Sequence, residues 1–152
     1  MTKQIVNELS GLLESQRSFV TNVEKLTDEQ LNWIPKGSKN SIGILLDHIT
    51  GAEKMLIHKL IFGIEISRDR DKEFENRNRT VKDLLTKYQE MASDTKQLLS
   101  TKLEDENLLD TRNARGTERT VLWALGHALD HNNYHIGQIN LLLAIVDSNK
   151  EN

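Results

Sequence analysis

Three histidines near the C-terminal end of the sequence have the spacing of a metal site. His127, His131 and His135 follow one another at intervals of four residues, so on a helix their imidazoles lie along one strip. Imidazoles at positions i and i+4 are rooted roughly 5–6 Å apart, close enough for two ring nitrogens to reach one ion at about 2.0–2.1 Å. This spacing predicts a divalent metal site on the last helix.

The strip is too long for all three rings to bind the same ion. Between His127 and His135 a helix rises about 12 Å, so one adjacent pair binds, and the spacing leaves open which pair. Another helix must supply the remaining ligand, for which His48 is the best candidate. The alternative is that these are core histidines, but burying neutral imidazoles without partners would cost roughly 1–3 kcal/mol each.

Composition narrows the possible classes of protein. The length of 152 residues predicts one domain over residues 1–152. The net charge is −3 with acids and bases interspersed, which gives no basic stripe for nucleic acid. There is no run of about 18 apolar residues and no secretory signal, so we expect no membrane span and a cytoplasmic location. The chain has no cysteine, so any thiol chemistry needs a thiol from outside.

Helical periodicity runs through the sequence and predicts four long amphipathic helices. They are expected over residues 3–25, from Ser41 to Gly63, from Thr80 to Leu103, and from about Thr120 onward, with a short capped helix at residues 27–33. No alternating strand pattern is present. The fold class is therefore predicted as all-α, a four-helix bundle with connections of about 13 residues or more, longer than usual.

The segments between these helices are polar. Residues 67–79 are dense in charge and predict a solvated connection, and residues 104–116 show no sustained period. His58 lies ten residues after His48, which turns it roughly 80° away on the same helix and predicts an exposed ring. For Trp33, Trp123 and Tyr134, sealing the core is favoured over lining a pocket.

Two blocks of the sequence resemble the signature blocks of the DinB/YfiT-like family of metalloenzymes. The first is Ser41-Ile-Gly-Ile-Leu-Leu-Asp-His48 with Glu53 soon after, and the second runs from His127 through His131 and His135 to Gln138. The resemblance covers nearly the whole chain in order, and the second block is its most specific part. It implies a four-helix bundle and a divalent metal, often nickel or zinc, held by His48, His131 and His135.

The same resemblance bears on the roles of the residues around these ligands. His127 becomes a pocket-wall or core histidine one turn away, and Gln138 either supports the site or packs. Asp47 and Asp130 point aside from the ligands beside them and are expected as surface charges. Many relatives carry arginine where this chain has Ile136, which weakens inference about bound anions.

The resemblance also implies a reaction, because members of the family include transferases that join a low-molecular-weight thiol, such as bacillithiol, to an electrophile. A thiol transferase acting on a small-molecule substrate, as a homodimer, is therefore the expected function. A hydrolase remains an alternative, with His127 or Glu53 as candidate bases. A non-catalytic, stress-associated module with a stabilising metal is the other. The sequence names no general base for thiol transfer.

Overall fold

Helices make up most of the computed structural model, which describes residues 2–75 and 77–150. In chain order its elements are α1 (Gln4–Ser15), a 3-10 turn (Gln16–Phe19), α2 (Val20–Val23), α3 (Asp28–Asn32), α4 (Ile42–Glu53), a π-helix (Lys54–Ile61), α5 (Arg70–Glu73), α6 (Val81–Lys102), a second 3-10 turn (Asp105–Leu109), β1 (Thr111–Ala114), β2 (Thr117–Thr120) and α7 (Val121–Lys150). The strands form a small two-stranded sheet, which the all-α prediction lacked.

The first predicted helix is interrupted, and the apolar stripe that helical periodicity predicts along it, through Ile5, Leu9 and Leu12, is only partly correct in α1, where Leu9 alone of the three packs against the smaller hydrophobic cluster. Ile5 and Leu12 were expected inside but are 52% and 54% exposed. The buried positions lie one residue later, at Val6 and Leu13. A 3-10 turn, with three residues per turn, separates α1 from α2, so one uniform period cannot describe both halves.

Side-chain caps begin three helices where the sequence predicts them, at Thr27, Ser41 and Thr80. The cap bonds run from the backbone N–H of Gln30 to Thr27 Oγ1 (3.2 Å), of Ile44 to Ser41 Oγ (3.1 Å) and of Asp83 to Thr80 Oγ1 (3.1 Å). Each satisfies a backbone donor that has no partner within the helix. The cap at Ser41 fixes where α4 starts, and so where His48 lies along it.

A π-helix continues α4 without a break, and the segment ends at Gly63, which has a positive φ of 68°. Its wider turns change the direction of the side chains that follow. The prediction of an exposed His58 is therefore wrong: the ring is 5% exposed, and its Nε2 lies 2.9 Å from Thr95 Oγ1. Helical spacing of 3.6 residues does not apply across this segment.

The polar stretch before α7 folds into a β-hairpin. Strands β1 and β2 pair antiparallel from Thr111 opposite Thr120 to Ala114 opposite Thr117. The turn at Arg115 and Gly116 has positive φ at both residues, 56° and 87°, as in the tight turns that match the twist of a hairpin. Each strand has four residues and no apolar face, so no alternating strand pattern is visible in the sequence.

Two hydrophobic clusters form the interior, and α4 and α7 contribute to the larger of them. That cluster includes Leu45, Leu46 and Ile49 of α4, which lie on either side of His48 in sequence, together with Ile139 of α7. Because α4 packs against α7 through these side chains, His48 faces the histidines of α7. Within residues 2–75 and 77–150, no helix has both the length and the apolar character needed to cross a membrane.

Candidate metal centre

His48 on α4 and two histidines on α7, His131 and His135, form one cluster of imidazoles. A ring nitrogen from each lies within 4.8 Å of the other two. The closest contact joins His48 Nε2 to His131 Nε2 at 3.0 Å, and the ring centroids of His131 and His135 are 4.6 Å apart. Of the two pairs that spacing alone left open, the fold brings His131 and His135 to His48.

The outer nitrogens of two of these rings contact side-chain oxygens. Nδ1 of His48 lies 3.0 Å from Glu73 Oε2, and Nδ1 of His135 lies 2.8 Å from Gln138 Oε1. An ionised carboxylate or an amide oxygen only accepts, so each Nδ1 carries the proton and donates it. In a neutral ring the lone pair is then on Nε2. Gln138 therefore orients His135, one of the two roles that the sequence left open.

Glu73 is the site residue that the sequence analysis missed. It lies at the end of α5, inside the segment predicted to be a solvated connection, but it is 6% exposed. Arg68 holds its carboxylate with two hydrogen bonds, Nε to Oε1 at 2.6 Å and an η-nitrogen to Oε2 at 2.9 Å. Burial alone would raise the pKa of Glu73, but the bonds from His48 and Arg68 outweigh it, and the pKa lies below its ordinary value.

Burial and crowding keep two of the clustered histidines neutral. Burial, followed by the neighbouring rings of His135 and His48, lowers the pKa of His131 to about 4. Burial also lowers the pKa of His135, although the bond to Gln138 partly offsets it. Neutral imidazole is the form that binds a metal ion, so both rings are in that form near neutral pH.

The donor set fits a divalent ion of the zinc or nickel type, because three neutral imidazoles without thiolates suit these metals. Nδ1 of His131 is buried with no hydrogen-bond partner among the described residues, so this ring, unlike those of His48 and His135, has no acceptor that fixes its orientation. Two nitrogens on one ion lie at most about 4.2 Å apart. Since the present separations reach 4.8 Å, the rings would have to draw together by several tenths of an ångström.

His127 lies at the edge of the cluster, outside the group of three. Its ring centroid is 6.2 Å from that of His131, and its ring stacks on Trp123 with centroids 4.8 Å apart. The guanidinium of Arg119 covers the Trp123 ring at 4.8 Å from its centroid. His127 is exposed and lines the neighbouring cavity.

Glu53 belongs to a different buried network. The structure places its carboxylate, 1% exposed, against Arg17, which donates to Oε1 at 2.8 Å and to Oε2 at 3.3 Å. Asn132 donates to Oε2 at 2.9 Å, and Arg17 also contacts Tyr88 Oη at 3.1 Å. Burial raises the pKa of Tyr88 to about 12. With these partners Glu53 is an internal counterion, and its role as a candidate base for a hydrolase stays a prediction.

The remaining predicted positions divide between surface and core. Asp130 is exposed as expected, whereas Asp47 is partly buried and accepts hydrogen bonds from Arg79 at 3.2 and 3.3 Å. Ile136 is 8% exposed and packs in the larger hydrophobic cluster. Trp33 and Tyr134 are exposed at 37% and 65%, so they do not seal the core.

A cavity of about 720 Å³ opens beside the cluster. The π-helix, the segment before α5, the β-hairpin and the start of α7 form its walls. Trp123, His127 and Arg68 are among its lining residues, so pocket contact is the outcome for Trp123. His127 lies one helical turn from His131, and Arg68 holds the carboxylate that contacts His48. The cavity is thus joined to the cluster through two of its wall residues.

Comparisons with known proteins agree with this architecture. A DinB-like protein from Bacillus cereus ATCC 10987 shares 21% identity with a TM-score of 0.71, over 90% of this chain and 91% of that one. A conserved protein from Enterococcus faecalis shares 16% identity with a TM-score of 0.75, over 97% and 99%. No curated protein matches the chain. A sequence model of the DinB superfamily matches residues 12–139, and the chain belongs to that superfamily.

Proposed function

We propose that this protein is a metal-dependent enzyme that transfers a low-molecular-weight thiol, of the bacillithiol type, to a small electrophile. His48, His131 and His135 would hold one divalent ion, nickel or zinc, on a four-helix bundle. The observation that carries the proposal is the arrangement of the two outer nitrogens. Because Glu73 and Gln138 accept the Nδ1 protons of His48 and His135, the Nε2 atom of each ring carries the lone pair that a metal ion binds.

Three protein ligands leave at least one coordination position for a water or a substrate, as in catalytic rather than structural sites. When bound, a divalent cation favours the thiolate form of a sulfur ligand, which is the nucleophilic form. The chain has no cysteine, so the attacking sulfur must come from a separate small thiol. The open cavity beside the cluster gives such a molecule a route.

The chain's own residues supply orientation. Glu73 accepts the Nδ1 proton of His48, and Arg68 fixes that carboxylate with two hydrogen bonds. Gln138 Oε1 accepts the Nδ1 proton of His135. His127 is the exposed imidazole at the edge of the cluster, and it can pass to the solvent the proton that a thiol releases on binding. Glu53 has no part in this, since Arg17 and Asn132 occupy its oxygens.

The test uses cobalt-loaded protein and a panel of thiols comprising bacillithiol, glutathione and cysteine. A thiol that binds as proposed produces a new sulfur-to-metal absorption band and releases a proton. The same thiol should then be consumed by a model electrophile such as monobromobimane faster than in the absence of protein. Absence of any spectral change with all three thiols contradicts the proposal.

The alternatives give different results in the same samples. A metal-dependent hydrolase would turn over an ester substrate in thiol-free buffer, and thiols would inhibit it. A non-catalytic module would bind the metal, gain stability from it and accelerate neither reaction. His127→Ala serves as the variant for proton transfer, because it should slow thiol transfer while leaving metal content unchanged.

We also propose that the protein acts in the cytoplasm as a homodimer. Large apolar side chains are exposed on α1 and α7, among them Leu12 at 54% and Leu141 at 64%, and a second copy could cover them. Light scattering at micromolar concentration should give twice the mass of the chain. A monomer would remove this part of the proposal without affecting the metal site.

A further inference from the structure

The cavity beside the histidine cluster has a strongly basic lining. Six of its lining residues carry positive charge, and no acidic residue of the described chain lies among them; the six are Lys59, Arg68, Arg70, Arg112, Arg115 and Arg119. The protein as a whole carries a net charge of −3. Positive charges are therefore concentrated in this cavity although the net charge of the protein is negative. Such a cluster raises the local concentration of anions.

Three of these cations form no ion pair in the part of the chain that the structure describes. Arg68 is bound by Glu73, Lys59 lies 3.7 Å from an exposed glutamate, and Arg112 lies 3.9 Å from Asp110. By contrast, Arg70, Arg115 and Arg119 form no ion pair within residues 2–75 and 77–150. Arg70 and Arg119 instead lie over the rings of Phe74 and Trp123. Their charges are available to a ligand.

Six of the other lining residues are apolar: Met55, Leu56, Leu60, Ile66, Ala114 and Trp123. The polar residues Asn113, Thr117 and His127 complete the wall. A volume of about 720 Å³ lies within the range of roughly 300–1,000 Å³ that is usual for small-molecule sites. Guanidinium groups match carboxylate and phosphate oxygens with paired hydrogen bonds. The lining therefore suits a molecule that combines negative charges with an apolar body.

Resting on the proposed function, we propose that this cavity is the substrate site and that it selects an anionic small molecule. The molecule carries at least two negative charges, as carboxylates or phosphates, and the hairpin arginines Arg115 and Arg119 bind them. The apolar body lies along Trp123, and the reacting end lies toward His127, next to the histidine cluster. The β-hairpin, which the sequence analysis did not detect, thus determines specificity.

The experiment measures anion binding to the metal-free protein, so it does not depend on the metal or on activity. The probes are tricarballylate, with three carboxylates, and inorganic pyrophosphate, titrated by calorimetry. A Trp33→Phe background leaves Trp123 as the only tryptophan, and its fluorescence reports whether the probe enters the cavity. The test variant combines Arg115→Gln with Arg119→Gln. The matched control combines Arg77→Gln with Lys82→Gln, which removes two exposed charges outside the cavity.

Saturable binding of either probe, with a change in Trp123 fluorescence, is expected. The variant Arg115→Gln with Arg119→Gln should bind the probe about tenfold more weakly, roughly threefold for each exposed guanidinium removed. The control variant should bind it as the parent does. Added salt should also weaken binding by screening. The better probe identifies the carboxylate or the phosphate as the preferred group.

Failure of this proposal differs from failure of the proposed function. Equal affinity in the hairpin and control variants, or no saturable binding of either probe, overturns the anion site even if thiol transfer is observed. Conversely, the protein could bind anions through the hairpin arginines and yet never accelerate thiol transfer. That result would support the anion site and contradict the proposed transferase function. Circular dichroism of each variant establishes that it is folded.

Discussion

Glu73 Oε2 lies 3.0 Å from Nδ1 of His48, although the two residues are 25 positions apart. The contact joins α5 to α4 and gives His48 a buried acceptor for its outer proton. Histidines that bind metals commonly donate this second N–H to a carboxylate, which fixes the ring and raises its basicity. The pair therefore links the charged segment before α6 to the proposed metal chemistry.

Removing this carboxylate should weaken metal binding without abolishing it. Glu73→Ala leaves the His48 ring without its acceptor, and loss of such a partner lowers metal affinity by about 10- to 100-fold. Competition against a coloured zinc chelator measures the change. The matched control is Glu75→Ala, an exposed glutamate two residues later, which should bind zinc as the parent does. Equal affinities in the two variants would contradict the role of Glu73.

Gly51 allows the same carboxylate to approach α4. A Cβ added there would collide with Glu73 Oε1 and would lie 2.8 Å from Arg68 Nε. Gly51→Ala should therefore displace the Glu73 side chain and reduce zinc affinity in the same direction as Glu73→Ala. Gly11→Ala is the control, since its Cβ meets nothing within 4 Å. That control should stabilise the protein by up to about 1 kcal/mol, because alanine is the better helix former.

The three clustered histidines should each be essential for binding about one ion per chain. His48→Ala, His131→Ala and His135→Ala should reduce affinity more than Glu73→Ala does, because each removes a ligand rather than its support. His127→Ala, an exposed neighbour on the same helix, is the control. Elemental analysis after gel filtration gives the stoichiometry. Metal loss in His127→Ala with retention in His135→Ala would mean that the other adjacent pair binds.

Local signals in the sequence were enough to predict much of the site. Helical spacing predicts a histidine pair on the last helix with His48 as the best partner from another helix, and the family resemblance implies that the pair is His131 and His135. The caps at Ser41 and Thr80 depend on residues three positions apart. Each of these features is encoded within one or two turns, so a single sequence is sufficient. The four-helix bundle itself remains a prediction.

The features that were missed depend on contacts between distant parts of the chain. Glu73 lies in a charged run without period, and only the packing of α5 against α4 buries it. The ion pair of Arg17 with Glu53 joins residues 36 positions apart. His58 was misplaced because the π-helix changes the phase of its side chains. Sequence spacing carries no information about any of these arrangements.

The Arg17–Glu53 pair should be structural, and its disruption should separate stability from metal binding. Glu53→Gln removes the buried one of the two counterions of a guanidinium that is only 12% exposed, and breaking a buried pair in this way costs about 3 kcal/mol. Urea denaturation should show this loss, while zinc stoichiometry stays at about one. Arg77→Gln, which breaks an exposed pair with Asp47, should cost less than about 1 kcal/mol. Loss of zinc in Glu53→Gln with unchanged stability would contradict this assignment.

Acidification should destabilise the metal-free protein between about pH 6.5 and pH 4. Burial first, then the neighbouring rings, lowers the pKa of His131 from 6.5 to about 4 in the folded chain, and burial lowers the pKa of His58 as well. Over this range the unfolded chain binds protons that the folded chain does not, so the free energy of unfolding falls as pH falls. Urea midpoints across the range measure this slope.

Two comparisons identify the groups responsible for that slope. His58→Gln removes one titrating ring at a buried position, so its urea midpoint should depend less on pH than that of the parent. Saturating zinc should make the dependence steeper, because protons compete with the ion for the same imidazoles. A metal-free midpoint that stays constant between pH 6.5 and pH 4 would mean that these rings titrate normally in the folded protein, and that His131 is not held neutral for metal binding.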